Sequence, residues 1–395
     1  MILETKKLDD VCDVVRGGSP RPIKKYITTS SDGLNWIKIS DATASDKYIF
    51  KTKQKIKKEG ALRSRIVKKG DLILSNSMSF GRPYIMKTTG CVHDGWLVLS
   101  NYQSKLNVEY FYYLLSSPYI IQQFEKVATG STVRNLNISL VKNIQISFPS
   151  LEEQQHIVGK LDAVFAEINN KEQLNLEKLN NINKFKKSIL DNLLGNNLIK
   201  LNEACDLIKR GISPKYLETG GVAVINQKCI RNHIIDYSKA RRHDIDLKKV
   251  PEERFIKKGD VLINSTGHGT LGRVAQVNQK PAEKTTVDSH VTIIRPKQEL
   301  FDLGYFANAL IKIEKQLEEA AEGASGQTEL SRSKLENEFS IPYMDSIDKQ
   351  RKVSLIINSI FENIYILKNL TGKIIENLKS LKLSFLYKEL HNKKI

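Results

Sequence analysis

The sequence has few cysteines and no long apolar run. Its four cysteines form no C-x-x-C pair and its seven histidines are scattered, so the spacing of a zinc site is missing. No stretch approaches the roughly 20 apolar residues of a membrane-spanning helix, and residues 1–10 show no signal-peptide core. We therefore expect a cytoplasmic protein with buried thiols, no bound metal or cofactor and no membrane contact.

Acidic residues are also fewer than basic residues. The chain has 62 Lys and Arg against 44 Asp and Glu, which gives a formal net charge of +18. This excess indicates a polyanionic partner, nucleic acid before a membrane surface. With 395 residues, the chain is long enough to form two or more domains.

Common catalytic motifs are missing as well. There is no G-x-x-x-x-G-K-[ST] loop and no N-P-P-Y-type tetrapeptide of the kind that adenine methyltransferases carry. Residues 267–272 match G-x-G-x-x-G, but residues 273–277 alternate like a strand where the dinucleotide fingerprint requires a helix. His93-Asp94 resembles a catalytic pair, yet a strand-edge or DNA-contacting role explains it better. The sequence favours a non-catalytic protein, and a cofactor-binding enzyme is the alternative.

One stretch of the chain occurs twice. Residues 148–168, F-P-S-L-E-E-Q-Q-H-I-V-G-K-L-D-A-V-F-A-E-I, return in diverged form at 341–364, with a short insertion after the proline. A repeat at this distance indicates a duplication of domain size. We expect the repeated positions to form a helix-pair and partner interface: Gln154, Ile157, Leu161, Phe165 and Ile168 in the first copy, and Gln350, Val353, Ile357, Ile360, Phe361 and Ile364 in the second.

Each copy predicts the start of a long amphipathic helix. Ser150 and Glu153 have the spacing of a capping box after Pro149. Each helix would have roughly 43 residues and a length of about 64 Å. An ordinary core helix, the alternative, usually shows a wider apolar face. The second helix carries an a/d seam predicted to pack on the first helix: Val353, Ile357, Ile360, Ile364, Leu367, Thr371, Ile374, Leu378, Leu381 and Phe385.

The segments before each helix are also duplicated. Residues 68–77 and 257–266 both predict a Gly-Asp turn, a buried strand and a polar loop, which ends at a Gly-Arg pair. A further strand, a helical pattern and a small-residue loop follow in both halves. Each half is therefore predicted to be a mixed α/β globule followed by a rod.

This ordered set resembles the DNA-specificity (S) subunit of type I restriction-modification systems. The resemblance rests on P-x-x-x-E-Q-x-x-I at 149–157, K-K-G-D-L-I-L at 68–74 and G-S-T-x-x-x-L at 130–136, and it covers nearly the whole chain. The second copy departs from the pattern, with Lys349-Gln350 in place of the acidic-Gln pair and an insertion after Pro342.

The resemblance implies a mixed α/β architecture of two target-recognition domains, 1–149 and 197–345, each followed by a helical region, 150–196 and 346–395. The helices would form an antiparallel coiled coil with pseudo-two-fold symmetry. Such a protein would bind a bipartite, asymmetric double-stranded DNA target with a fixed spacer. It would recruit two methyltransferase subunits together with restriction and translocase subunits. A specificity chain of a compact system with a fused nuclease-methyltransferase, and a DNA-bridging coiled coil without sequence preference, are the alternatives.

Base reading requires side chains that pair with base edges, carried on loops that a sheet braces. The candidates for DNA contact are Lys38, Ser40, Asp41, Asn76, Ser77, Ser79, Arg82 and Arg134 in the first half, and Asn226, Gln227, Lys228, Arg231, Ser265, Thr266, His268, Arg273 and Gln327 in the second. The candidates for phosphate contact are Lys53, Lys55, Lys57, Lys58, Arg63, Arg65, Arg241, Arg242 and Lys248.

Overall fold

The computed structural model describes residues 3–76, 81–128, 136, 138–267, 269–320 and 329–391. The chain divides into two compact units, one formed by residues 1–175 with 373–395 and the other by residues 176–372. Both units contain two larger sheets, of five strands each in the first unit and four strands each in the second, together with two-stranded sheets, several short helices and one half of each long helix. The predicted mixed α/β class, with a long helix after each sheet-rich domain, is confirmed.

The strands and helices of the first unit follow in chain order. The strands are β1 Glu4–Lys7, β2 Asp13–Arg16, β3 Ile27–Thr28, β4 Leu34–Ile37, β5 Tyr48–Ile49, β6 Gln54–Ile56, β7 Arg65–Val67, β8 Leu72–Ser75, β9 Pro83–Met86, β10 Gly90–Val92, β11 Trp96–Ser100 and β12 Gln145–Phe148. The helices are α1 Ile39–Thr43, α2 Lys58–Ala61, α3 Val108–Leu115, α4 Pro118–Ala128, α5 Ile138–Lys142 and the long α6 Leu151–Leu193.

The second unit repeats this order. Its strands are β13 Leu198–Lys200, β14 Cys205–Arg210, β15 Tyr216–Leu217, β16 Val222–Ile225, β17 Ile230–Arg231, β18 Ile234–Ile235, β19 Arg241–His243, β20 Val261–Asn264, β21 Val274–Gln276, β22 Thr285–Val287, β23 Val291–Pro296 and β24 Ser340–Pro342. Its helices are α7 Leu201–Ala204, α8 Leu303–Lys312, α9 Glu314–Glu319, α10 Arg332–Glu338 and the long α11 Ile347–His391.

The sheets of the two units share a common plan. The order β2-β11-β8-β9-β5 in the first unit corresponds to β14-β23-β20-β21 in the second, and β3-β6-β4-β10-β7 corresponds to β15-β19-β16-β22. In each unit the second of these sheets has one parallel pair, β4 with β10 or β16 with β22, and the first sheet of the first unit has another, β5 with β9. The duplication seen in the sequence is therefore a duplication of topology.

The central strand of each unit begins at the predicted Gly-Asp turn. Gly70 and Gly259 have φ of 94° and 92°, a region that side chains disfavour. The carboxylate of Asp71 accepts the Lys68 backbone N–H at 2.7 Å, and Asp260 accepts that of Lys257 at the same distance. Every residue of β8 and β20 is buried, so these strands are part of the core of each globule.

The first globule packs its core against the beginning of α6. Leu72 and Leu99 of the sheet, Phe111 of α3 and Leu161 of α6 belong to one cluster of buried side chains. In the second unit, Val261, Phe306 and Ile357 of α11 belong to the corresponding cluster. Each long helix therefore begins as part of a globule core.

Further along, the long helices pack on each other within each unit. In the first unit, Lys382 donates to Asn169 Oδ1 at 2.9 Å and lies 5.1 Å from the Phe165 ring centroid. In the second unit, Lys186 lies 4.5 Å from the ring centroid of Phe361. The N-terminal half of α6 thus contacts the C-terminal half of α11 and the reverse, so the helices run antiparallel.

The register of the α11 seam differs from the prediction. One row is as expected, with Ile357, Ile364 and Thr371 exposed by only 0%, 7% and 1%. The second expected row faces outward: Leu367, Ile374 and Leu381 are 37%, 43% and 53% exposed. Phe361, Lys368, Ile375 and Lys382 are partly buried in its place. The aliphatic stem of a lysine can cover apolar surface while its ammonium group stays in water, and this explains the change of row.

Candidate nucleic-acid interface

In each unit, three segments meet beyond the end of the central strand. The backbone N–H of Asn76, just after β8, donates to Gly95 O at 2.9 Å, and Leu136 N–H donates to Asn76 O at 3.1 Å. In the second unit, Ser265 N–H donates to His290 O and Leu330 N–H donates to Ser265 O, both at 2.8 Å. We call residues 76–82 and 265–273 the reader loops, and the edge of each globule that carries them the recognition edge.

Each reader loop ends in a turn that requires glycine. Gly81 and Gly272 have φ of 76° and 82°, and a Cβ on Gly272 would lie 2.8 Å from the Glu318 backbone nitrogen. The arginine that follows differs in role between the units. Arg82 is exposed, with its guanidinium carbon 5.2 Å from the Tyr84 ring centroid, whereas Arg273 donates to Gly269 O at 2.7 Å. Arg82 is free to reach a ligand, and Arg273 braces its own loop.

A histidine turn lies beside each reader loop. The Gly95 backbone N–H donates to His93 Nδ1 at 2.9 Å, and burial lowers the pKa of His93. Asp94 accepts the Ser19 hydroxyl at 2.8 Å, and this hydrogen bond lowers the pKa of its carboxyl. His290 pairs instead with Thr266 Oγ1 at 2.6 Å. His93 is thus a neutral turn-forming residue, which agrees with the structural interpretation of the His93-Asp94 pair.

A second turn contributes candidates in the second unit. Asn226 Oδ1 accepts the Lys228 backbone N–H at 2.9 Å and so shapes the turn after β16. Asn264 Nδ2 donates to Gln227 O at 3.1 Å, which ties this turn to the reader loop. Lys228 and the nearby Arg231 are exposed. The structure therefore places Gln227 and Lys228 beside the reader loop of the second unit.

Three residues that were predicted to contact DNA are buried, so we no longer assign them to DNA contact. Asp41 is buried and accepts the Lys38 and Lys53 backbone N–H groups at 3.0 and 3.2 Å, which caps α1. Ser265 is buried and its hydroxyl pairs with Thr292 Oγ1 at 2.5 Å. Asn76 is 2% exposed. Burial leaves them as supports of the recognition edge, because a base edge cannot reach them without rearrangement.

Of the remaining candidates for DNA contact, two lie within the described residues and five lie outside them. Ser40 is exposed, and Lys38 is partly buried near His93, where its charge helps to lower the pKa of that histidine. Ser77, Ser79, Arg134, His268 and Gln327 lie outside the described residues.

The predicted phosphate contacts are not equally available. Arg242 donates to Glu283 Oε1 at 2.6 Å and to Gly220 O, so its guanidinium is committed. Arg241 instead lies over the Tyr216 ring with 3.2 Å between guanidinium carbon and centroid, and Tyr216 is 41% exposed. Tyr216 was not among the predicted contacts, although its position just after a Gly-x-Ser-Pro turn was an available signal. An exposed Arg-Tyr stack offers both charge and a flat apolar face to a nucleic acid.

The repeated glutamines have a different role from the one predicted. Gln154 Nε2 donates to Lys105 O and Pro149 O, both at 2.9 Å, and its Oε1 accepts the Asn107 backbone N–H at 2.8 Å. Gln350 makes the same three bonds, to Leu300 O, Met344 O and the Asp302 N–H, at 2.8, 2.6 and 2.8 Å. Both side chains are fully buried. They fasten a globule to its long helix and are not part of the seam between the helices.

The other predicted seam positions lie in or beside apolar clusters. In the first unit, Ile157, Leu161, Phe165 and Ile168 share a cluster with Leu386 and Leu390 of α11. In the second, Ile357 shares a cluster with Leu190 and Leu194, against which Val353 and Phe361 pack. Ile364 is buried and Ile360 is partly buried.

The glycine-rich loop of the second unit does not have the geometry of a dinucleotide site. Gly267, Gly269 and Gly272 all have positive φ, but they lead into β21 and not into a helix that would point its N-terminus at a phosphate. Within the described part of the chain, no group of three or more His, Cys, Asp or Glu side chains is arranged to hold a metal ion. Among the same residues, every helix is too short or too polar to cross a bilayer.

Comparison with known proteins agrees with this geometry. Residues 3–178 match the family model described as Type I restriction modification DNA specificity domain. The match lies in the first half of the chain, and that half is similar to this family. A similar protein is the type I restriction enzyme MjaIX specificity subunit of Methanocaldococcus jannaschii, which is 30% identical over 185 residues. That alignment covers 45% of this chain and 41% of the relative, so the chain aligns with less than half of that relative's length.

Solved structures show the same fold over the whole chain. A chain from a study of complex assembly and conformational transition of the type I R-M system superposes with a TM-score of 0.77 at 18% identity, covering 99% of this chain and 98% of that one. The HsdS subunit from Thermoanaerobacter tengcongensis gives a TM-score of 0.53 at 19% identity, covering 99% and 97%. The fold of these two solved chains therefore also covers the second unit, beyond the residues that the family model matches.

Proposed function

We propose that this chain is the non-catalytic DNA-specificity subunit of a type I restriction-modification complex. The observation that carries the proposal is the duplicated recognition edge, which stands on a sheet joined to a long helix in both units. Half-site readers that differ in their loops, such as Arg82 against Arg273, would recognise unlike sequences. The target is then a bipartite, asymmetric double-stranded DNA site. In this proposal the long helices hold the two parts of the target at a fixed spacing.

The test is a selection of bound duplexes from a random pool, with this chain co-expressed with the methyltransferase encoded beside it. We expect two short, unlike motifs separated by a gap of constant length. Arg82→Ala should relax the preference at one half-site and leave the other unchanged, because a lost base contact costs about 1–3 kcal/mol of discrimination. A single contiguous motif would contradict the proposal. Binding without any motif would favour a DNA-bridging protein that acts through charge.

The proposed partners are two methyltransferase subunits, with restriction and translocase subunits joining the complex they form. Support comes from α11, where an outward row of apolar side chains has no covering element among the described residues: Ile356, Leu367, Leu370, Ile374 and Leu381. These side chains are 37% to 53% exposed. Extended apolar rows of this kind commonly mark protein interfaces.

Co-purification tests the partner surface. Leu370→Asp with Ile374→Asp should abolish capture of the methyltransferase subunit, because the charges would be buried at the interface. The matched control, Lys373→Asp, lies between them on an exposed position and should retain capture. Equal capture of the methyltransferase subunit by the double variant and by the Lys373→Asp control would refute docking on this row. A single polypeptide partner with both nuclease and methyltransferase activity would indicate the compact fused system.

A further inference from the structure

Two leucines stand out on the surface. Among the described residues, Leu62 and Leu247 are the most exposed large hydrophobic side chains, at 85% and 75%. Both lie in the connection that follows corresponding strands, β6 in the first unit and β19 in the second. One exposed leucine requires no explanation. The same feature at corresponding places in two diverged units does.

Each leucine projects from a braced turn. Beside Leu62, the Ser64 hydroxyl donates to Gly18 O at 2.7 Å and Arg63 Nη1 donates to Tyr26 Oη at 3.1 Å. In the second unit, Asp244 Oδ1 accepts the backbone N–H of Leu247 itself at 3.0 Å. A braced backbone loses little conformational freedom when a partner covers the leucine that it carries.

These turns border the recognition edge. Ser64 also donates to Val92 O at 3.2 Å, next to the histidine turn of the first unit. In the second unit, Lys248 Nζ donates to Ser213 O at 3.0 Å, and the neighbouring Gly211 N–H donates to Val291 O at 3.0 Å, beside the histidine turn there. Each leucine is therefore connected through its turn to the segment that borders a reader loop.

The surroundings of both leucines are cationic. Residues 51–69 include nine Lys and Arg and one acidic residue, and residues 239–258 include eight and four. Arg63 adjoins Leu62, and Lys248 with Lys249 follow Leu247. This charge complements a polyanion and disfavours an ordinary apolar protein surface as the occupant.

We propose that Leu62 and Leu247 are apolar wedges that enter duplex DNA at a base step beside each half-site, while the neighbouring cations contact the phosphates. The inference rests on the proposed function and adds a contact that the reader loops do not supply. Proteins that insert leucine or similar side chains between base pairs partly unstack and kink the duplex. Two wedges would then make recognition depend on how easily the flanking steps deform.

The test uses the full chain with its methyltransferase partner and a duplex recovered from the selection described above. 2-Aminopurine placed at successive positions should fluoresce more strongly at one step beside each half-site when wild-type protein binds. Leu62→Ala should remove the signal at one half-site and Leu247→Ala at the other, each with about ten-fold weaker binding. Leu62→Phe should keep the signal. The dependence of affinity on salt should be unchanged by Leu62→Ala, because no charge is lost, whereas Arg63→Ala should lower its slope by about one.

A matched control separates a wedge from general exposure. Leu198, in β13, is 66% exposed, and Leu198→Ala should change neither binding nor fluorescence. Unchanged signals with Leu62→Ala and Leu247→Ala would overturn the inference and leave the specificity function standing. Loss of methyltransferase capture with normal DNA signals would also overturn it, because the leucines would then contact protein. Failure of the selection to yield any motif would refute the proposed function itself.

Discussion

At the scale of single residues, Gln154 and Gln350 each tie a globule to the helix that follows it. Each buried carboxamide donates to two carbonyl groups and accepts one backbone N–H. Gln154→Ala leaves these buried groups without partners, at about 1–3 kcal/mol for each group that water cannot reach. We expect a clear fall in the thermal unfolding midpoint and broader acceptance of gap lengths in the duplex selection.

The neighbouring Gln155 provides the control. Its side chain is exposed, so Gln155→Ala should leave both the midpoint and the gap unchanged. Gln154→Glu conserves the shape but places a carboxylate against two carbonyl oxygens, and it should be at least as harmful as Gln154→Ala. A wild-type midpoint in Gln154→Ala would show that the three hydrogen bonds contribute little.

His233 makes the second unit sensitive to pH. Burial lowers its pKa to about 4, and the charges of Lys186 and Lys368 act in the same direction. The imidazole Nε2 lies 3.7 Å from Glu314 Oε2. Between pH 6.5, the ordinary value, and pH 4, the unfolded chain binds a proton that the folded chain does not. This histidine therefore destabilises the fold as pH falls through that window, by up to about 1.4 kcal/mol per pH unit.

Glu314 acts in the opposite direction. Burial raises the pKa of its carboxyl, so its protonation favours the folded state as pH falls toward the ordinary value. His233→Gln removes only the histidine contribution. We expect the fall in unfolding midpoint between pH 7 and pH 5 to be smaller in His233→Gln than in wild type. Equal falls would mean that His233 is protonated in the folded protein.

At the scale of elements, the two rows of α11 separate structure from recruitment. Ile364 is 7% exposed in the seam and Ile374 is 43% exposed on the outer row. Ile364→Asp places an unpaired charge in an apolar seam and should destabilise the chain by about 3–5 kcal/mol. Ile374→Asp should change stability by no more than about 0.5 kcal/mol. Denaturant unfolding followed by circular dichroism measures both.

One result would contradict this division of α11 into a seam row and an outer row. If Ile374→Asp destabilised the isolated chain as much as Ile364→Asp, the outer row would be part of the seam, as the heptad pattern first indicated. The heptad pattern could not make the distinction, because it ranks Leu and Ile above Lys for burial. Lys186 and Lys382 cover phenylalanine rings across the seam with their side chains, and that arrangement depends on the partner helix.

At the scale of the whole molecule, the long helices are proposed to set the spacing of the DNA target. The helices have 43 and 45 residues. Inserting seven residues after Asn175 and after Gly372 keeps the seam in register and adds about 10 Å to each helix. We expect the gap between the two selected motifs to grow by about three base pairs, at 3.4 Å per step. An unchanged gap with intact binding would show that the helices do not measure the target.

The sequence by itself determined the duplication, the mixed α/β class, the long helices and the basic surface. These features depend on local patterns: apolar periodicity, Gly-Asp turns, a capping box and net charge. Such patterns act through neighbouring residues along the chain, so they can be read without knowing which elements meet. The family resemblance was visible for the same reason, because its motifs occur in order in the first half and return in diverged form in the second.

Only the tertiary structure decided which side chains face outward. Asp41 and Ser265 have the residue types of DNA contacts, yet backbone N–H groups and a buried threonine already occupy them. Gln154 and Gln350 repeat at the helix starts, but two of the three partners of each side chain are a carbonyl group and an N–H group about 50 residues earlier in the chain. Hydrogen bonding and burial between distant segments depend on how the chain folds back on itself, and local pattern does not contain that information.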